Sequence, residues 1–517
     1  MEALDEVKDK MPENNYLTLC NALKEQYDGL INGENTIYNG IQQSITIPSS
    51  FTTIPSLFFR GSPSLTSVTF TTPSSVTSIG DSAFRECSSL TSITIPPSVT
   101  EIGSCAFRYC SSLTSVTFKR GSSLTRIGGD AFRGCLQLAS ITIPSSVTEI
   151  GQAAFGECSS LTSIDIPSSV KEIHQEAFCD CTSLTSVTIP SSVNKIGQFA
   201  FFDCTSLTSA TINSLQVKEI SKATFSGCSS LKSVTMSPLV TSIGNNAFRN
   251  CSSLKEFAIP SSVTKIGESA FEDCSSLTKV TIPSSVTTIG VNALSHCSSL
   301  KSVDIPSSVT DIGRAAFNEC SSMTHVTIRS SVTKISKATF CNCSSLTSIT
   351  IPPSVTEIGD FAFKGCSKIT SLTIPSSVTK IGKWAFRECK ALTSVAIPSS
   401  VTEIGEGAFC HCTSLTSIDI PSSVNEIGKW AFYDCTSLTE VDLCEDGVTE
   451  IGEGTFSDCY SLTNVTIPFS MKKIGAWAFY GCSSLTSVTI PPSVTSICEF
   501  AFPPTCKITT KPRKRVR

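Results

Sequence analysis

An α/β repeat solenoid of about twenty turns is the fold class this chain predicts, and two observations predict it. The first is a phenylalanine that returns about every twenty-three residues, at 59, 84, 107, 132, 155, 178, 201, 225, 248, 271, 317, 340, 363, 386, 409, 432, 456, 479 and 502, with Leu294 in its place once. The second is the apolar patterning around it, alternating with period two after the ring and spaced by three before it. Self-similarity at this period means stacked supersecondary units, none of which can bury its apolar face without neighbours. An unbroken period also favours one array over the three or four domains that length alone suggests.

Each part of the unit has its own justification. In Leu90-Thr-Ser-Ile-Thr-Ile-Pro96, Ile93 and Ile95 point to one side while Ser92 and Thr94 point to the other. Pro96 has no N–H to give to a ladder, so it marks the end of the strand. One such strand per turn, always running the same way, predicts a parallel sheet. The segment Val99-Thr-Glu-Ile-Gly-Ser-Cys-Ala-Phe107 is the return path, and it predicts a short helical turn sealing the core with Val99, Ile102, Ala106 and Phe107. Glycine stands four residues before the phenylalanine in fifteen of twenty units, which points to a tight turn or a left-handed backbone there. Pro55, His174, Ser221, Ser336 and Cys498 replace it.

The consensus Leu-x-x-Ile-x-Ile-Pro-x-x-Val-x-x-Ile-Gly-x-x-Ala-Phe-x-x-Cys, seen in residues 90–110, resembles the BspA-like class of leucine-rich repeat. The resemblance covers about residues 44 to 506. It implies a right-handed leucine-rich-repeat solenoid. It also implies kinship with surface antigens of bacteria and parasitic protozoa that bind host or neighbouring-cell proteins.

The ends fall outside the repeat. Residues 1–43 place Tyr16, Leu19, Cys20, Leu23 and Tyr27 on one helical face behind a capping Asn14 or Asn15, which predicts a helical N-terminal cap. Phe502-Pro-Pro-Thr-Cys506 degrades the motif and is expected to stop the stack, leaving 507–517 as a basic disordered tail. In that tail Lys511, Arg513, Lys514, Arg515 and Arg517 match the composition of a nuclear-import signal or a merely solvated end.

Composition bounds the function. Five positive charges sit in the tail, so the body is acidic although the whole chain carries only −4. That balance argues against nucleic acid along the solenoid. The start, Met1 to Lys10, is acidic and lacks an apolar run, and no stretch reaches the eighteen or so apolar residues of a membrane span. The expected location is cytoplasmic or nuclear, with the cell surface as the alternative that the family resemblance implies.

Of the 26 cysteines, eighteen form one column three residues after the phenylalanine, from Cys87 to Cys482. Their side chains run parallel, which predicts a ladder of buried free thiols and not disulfides. The pairs Cys179/Cys181, Cys341/Cys343 and Cys410/Cys412 lie turns apart, and two sulfurs make an incomplete zinc site, so no metal or other cofactor is expected. The four histidines stand in no catalytic motif. A nucleophile built from His411 with Cys410 or Cys412 would lack a third, orienting group. No enzyme activity and no small-molecule substrate are expected.

The outward strand positions carry the functional reading. Eight residues after the phenylalanine, Ser appears in fourteen of nineteen strands, and ten after it Thr appears in thirteen. The breaks cluster: Glu256, Lys279, Asp304 and His325 in four successive turns, then Asp419, Glu440, Asp442 and Asn464 in three, with Asp165 alone. Insertions near Thr71-Thr72, Lys119-Arg120-Gly121, Ser214-Leu215 and Glu445-Asp446-Gly447 all follow a strand, where loops serve recognition. The expectation is a non-catalytic scaffold that binds a protein partner on its concave strand face, or an adhesin of the BspA type.

Overall fold

Alternating burial along the strands is what sets the architecture. In the strand Ser92–Ile95 of the computed structural model, Ile93 and Ile95 are buried while Ser92 and Thr94 are exposed, and most other strands repeat the pattern. The structure describes residues 43–329, 331–444 and 447–510. The helical cap expected over residues 1–43 lies almost wholly outside the described residues, as do the basic residues 511–517. The backbone forms two compact units, one up to Leu254 and one from Lys255 onward, each built of the same turn.

In the first unit, Ser44–Ile47, Ser67–Phe70, Ser92–Ile95 and Ser115–Phe118 form a parallel sheet in strict register, Ser92 opposite Ser115 and Ile95 opposite Phe118. The pairing thins to a single bridge at Thr142 and Asp165, then resumes at Ser186–Ile189, Ser209–Ile212 and Ser233–Thr235. Each turn also carries a second, two-residue strand, such as Glu101–Ile102 and Arg126–Ile127, so seven of these make another parallel sheet. The single strand per turn expected from sequence is therefore two. In the second unit the long strands recur, among them Glu256–Ala258 with Lys279–Thr281 and Ser417–Ile420 with Glu440–Leu443 and Asn464–Thr466. Pairing runs past Cys506, because Lys507–Thr510 lies in register on Ser487–Ile490.

The helical return segment is not there: no α-helix occurs among the described residues. The hydrogen bonds around Phe84 give the reason. The N–H groups of Ala83, Arg85 and Cys87 bond three residues back within their own turn, to Gly80, Ser82 and Phe84. Those of Ser82, Phe84 and Glu86 instead donate to Ser104, Ala106 and Arg108 of the next turn, at 2.7–2.8 Å. A helix would send consecutive N–H groups four residues back; here every second one is spent between turns. The alternation is enforced by left-handed residues two before and two after the ring, Ser82 at φ 56° and Glu86 at φ 64°. Each costs a non-glycine residue roughly 1–2 kcal/mol, which the inter-turn bonds offset.

Apart from the inserted Gly121, the positive φ angles fall in those two left-handed columns and not in the glycine column. The glycine four before the ring is needed for space. A Cβ at Gly103 would sit 2.7 Å from the Asp81 nitrogen, and one at Gly128 2.7 Å from the Gly103 carbonyl carbon. The backbones of neighbouring turns touch there, as glycine permits. Side chains in the left-handed columns lean onto the following turn. Tyr109 fills the space a side chain at Gly134 would need, and Asn342 does the same at Gly365.

Within each unit the phenylalanines stack. Neighbouring rings lie 5.0–5.6 Å apart and nearly parallel, as in Phe84–Phe107 and Phe340–Phe363. Beside them, each column cysteine is buried and free, and most of the thiols donate to the carbonyl of the stacked residue in the preceding turn, as Cys110 does to Phe84 at 3.0 Å and Cys320 to Leu294 at 3.2 Å. The hydroxyls form rungs of their own. Thr114 Oγ1 donates to Thr91, and Ser192 Oγ to Val170, so the Ser and Thr content is partly structural and not only a solvated coat.

Candidate partner-binding face

The exposed face of the long strands is paved with Ser and Thr, and the breaks in it fall into register with one another. Glu256 stands opposite Lys279 on adjacent strands. His325 stands opposite Ser302, and Asp304 opposite Thr327. All these side chains but Thr327 are exposed. The Asp304 carboxylate accepts from Arg329 Nε at 3.0 Å. Arg329 is a residue that sequence reasoning missed. It stands where most turns have the strand-ending proline, and that substitution was the available signal.

The second group is more sharply organised. On the parallel strands Ser417–Ile420 and Glu440–Leu443, Asp419 lies opposite Asp442, and Glu440 lies opposite Ser417 on one side and Asn464 on the other. Asn464 Nδ2 donates to Glu440 at 3.2 Å. No described cation forms an ion pair with Asp419, Glu440 or Asp442. Like charges directly opposite are unfavourable in a sheet, so this row is held against its own repulsion. Asp165 is remote from both groups along the chain and reaches its neighbour only through the bridge to Thr142.

Two of the insertions wall clefts at the strand ends. Thr71, Thr72 and Pro73 line one with Phe70 and Pro96, and Lys119, Arg120 and Gly121 line the other with Phe118 and Pro144. Ser214 is buried and its hydroxyl donates to the Val193 carbonyl, so that insertion is tied to the body. Glu445 and Asp446 lie outside the described residues.

Chemistry away from this face is subdued. Burial pushes the Cys158 and Cys320 thiols up to about 12, and it also raises Cys297 and Cys366 well above the usual thiol range. The expectation that His411 lacks an orienting group is corrected: its Nδ1 lies 2.7 Å from Asp434 of the next turn. The adjacent Cys410 thiol is nevertheless pushed up to about 12, chiefly by burial, so it is a poor source of thiolate. Among the described residues no three His, Cys, Asp or Glu side chains gather to hold a metal ion. No helix among them is long and apolar enough to cross a membrane.

Comparison with known proteins agrees with this architecture. The BspA type leucine-rich repeat region matches residues 33–162, 148–278, 264–393 and 385–509. A leucine-rich repeat protein from Bacteroides ovatus is 32% identical over 68% of this chain and 92% of its own, with a TM-score of 0.56. A leucine rich cell surface protein from Faecalibacterium prausnitzii is 28% identical over 83% of this chain and 88% of its own, with a TM-score of 0.27. The pneumococcal vaccine antigen PcpA is 22% identical over 61% of this chain and 73% of its own, with a TM-score of 0.41. No curated protein matches. With the repeat model spanning nearly the whole sequence and the Bacteroides protein alike in both sequence and turn, the chain belongs to the BspA-type leucine-rich repeat family.

Proposed function

We propose that this protein is a non-catalytic scaffold whose strand face binds a protein partner, and that the row formed by Asp419, Glu440 and Asp442 is the centre of that contact. One observation carries the reading: three carboxylates crowd two adjacent strands of a face mostly paved with neutral hydroxyls, with no described cation paired to them. Such a row destabilises the free protein and gains from a basic partner surface. Glu256, Lys279, Asp304 and His325 form a second, mixed-charge contact on the same face, and Asn464 extends the first.

The test is cross-linking from this face in cells. A photoreactive residue at Ser417 captures a partner in the parent protein, and the triple variant Asp419→Thr/Glu440→Ser/Asp442→Thr loses that adduct while keeping its fold. An adduct of equal yield in the triple variant sinks the reading.

Family membership favours one finer version, in which the contact is made at a cell surface as by an antigen or adhesin of the BspA type. Surface labelling of intact cells separates that version from an intracellular scaffold. In the intracellular version residues 511–517 act as an import signal, and comparing the location of the full chain with one carrying Lys511→Gln, Arg513→Gln, Lys514→Gln, Arg515→Gln and Arg517→Gln decides it.

A further inference from the structure

All three tryptophans of the chain stand in one column, two residues before the stacked phenylalanine, at 384, 430 and 477. The column reads Phe361, Trp384, Gly407, Trp430, Gly454, Trp477, Phe500. Gly407 and Gly454 make the room that Trp384 and Trp430 occupy as they lean onto the next turn. Trp430 meets Trp477 with ring centroids 6.4 Å apart and planes 24° from parallel. Tyr433 lies edge-on to Trp430 at 5.5 Å and to His411 at 5.3 Å. Trp477 is 39% and Tyr480 47% exposed while Trp430 and Tyr433 are half-buried, so these rings reach the surface.

Elsewhere the fold covers rings of this column with its own cations. Lys222 Nζ sits 5.5 Å from the Phe199 ring centre, Lys337 Nζ 5.5 Å from Phe361, and the Arg387 guanidinium 5.2 Å from Trp384. These cations come from two positions, three residues before a stacked phenylalanine or one after it. Around Trp430 and Trp477 the first of these positions holds Glu406, Glu453 and Glu499 in the neighbouring turns and Lys429 and Ala476 in their own, and the second holds Tyr433 and Tyr480. Among the described residues no cation lies over either ring. Lys383 and Lys429 occupy Glu406 and Glu453 as ion pairs at 3.3 and 2.9 Å, whereas Glu499 is exposed. Asp458 adds a second carboxylate beside Tyr433, whose hydroxyl is raised by burial and by that charge.

We propose that Trp430, Tyr433, Trp477 and Tyr480, with Asp458 and Glu499, form a second binding surface that takes the arginine or lysine side chains of a basic peptide segment of a partner protein. Stacked rings rimmed by carboxylates attract a desolvated cation through both the ring quadrupole and the charge. The surface supplies what the chain provides internally at Phe199, Phe361 and Trp384, minus the cation. It is independent of the strand face, because it uses different residues on the return side of the turn.

The three tryptophans make the test direct. The full chain is titrated with a synthetic twelve-residue peptide of alternating arginine and glycine while tryptophan emission is followed. Matched peptides with lysine or glutamate in place of arginine, and a neutral oligosaccharide, serve as comparisons. Saturable binding of the arginine peptide is expected, weaker for lysine and absent for glutamate. Affinity should fall about tenfold in Tyr480→Ser/Glu499→Gln and be largely kept in Trp477→Phe. Equal binding by the double variant overturns the proposal. Binding of the oligosaccharide in preference to the arginine peptide also overturns it, by making the rings a sugar platform. An emission change on replacing Arg513, Lys514 and Arg515 by Gln, with the peptide then binding more tightly, assigns the surface to the chain's own tail and overturns the partner.

Discussion

Asp419 and Asp442 lie directly opposite each other on adjacent parallel strands, with Glu440 on the same face and no described cation paired to any of the three. Thr fills both aspartate positions in most other turns. Asp442→Thr is therefore expected to raise stability by about 0.5 kcal/mol. Denaturant unfolding at low salt measures it, and the gain should shrink as salt screens the repulsion. A loss of stability would show that an unseen contact holds the pair.

The glycine column gives a second prediction. A Cβ at Gly405 would lie 2.6 Å from the Gly382 carbonyl carbon and 2.6 Å from the Lys383 nitrogen, both backbone atoms. Gly121 has φ +80° but open space around its Cα. Gly405→Ala should destabilise by about 3 kcal/mol or more, by forcing two turns apart, and Gly121→Ala by about 1 kcal/mol, from backbone strain alone. Hydrogen exchange of the flanking turns separates the two, since only the first should speed exchange in the turn before it.

Truncating one ring of the stack should be felt locally. Phe340 is fully buried between Phe317 and Phe363, at 5.5 and 5.6 Å. Phe340→Ala is expected to cost about 3–5 kcal/mol. Phe340→Leu should cost far less, since Leu294 occupies the same column in the native chain. Protease sensitivity near residue 340 reads both.

Alkaline pH should act through the thiol ladder. Burial raises Cys158 and Cys320 from an ordinary value of 9.0 to about 12, and it pushes others of the column, such as Cys297, in the same direction. In the unfolded chain these thiols ionise near 9 while the folded ones remain neutral. Their contribution to stability is whole below pH 9 and falls as pH rises from about 9 to 12, by about 1.4 kcal/mol per pH unit for each thiol. Thermal unfolding followed from pH 8 to 11 should show a slope steeper than one group can give. Replacing several column cysteines by Ala should flatten it.

Much of this molecule was legible in the sequence, because period-two and period-three patterns report directly on which side chains face the core. Ile93, Ile95, Val99, Ile102, Ala106 and Phe107 are all buried as the pattern demands. What failed was local backbone chemistry. Ala106 and Phe107 read as a helical turn, because nothing in their identity reveals that alternate N–H groups bond across turns. The glycine four before the ring read as a tight turn or a left-handed site, whereas the left-handed residues are Ser82 and Glu86, types with no such signature. At the strand face the charged breaks were visible, but the pairing of Asp304 with Arg329 needed the strands in register. Asp434 beside His411 was hidden because it stands one full turn away in sequence.

In the left-handed column two residues before the ring, Trp384 and Trp430 reach over Gly407 and Gly454 of the turn that follows. Substitutions in this array therefore carry directional epistasis. What is permitted at one rung is dictated by its predecessor, so enlarging Gly454 requires first shrinking Trp430, while the reverse order is free. A duplicated turn carrying a tryptophan in place of Gly454 would bring that ring into the space Trp430 already fills.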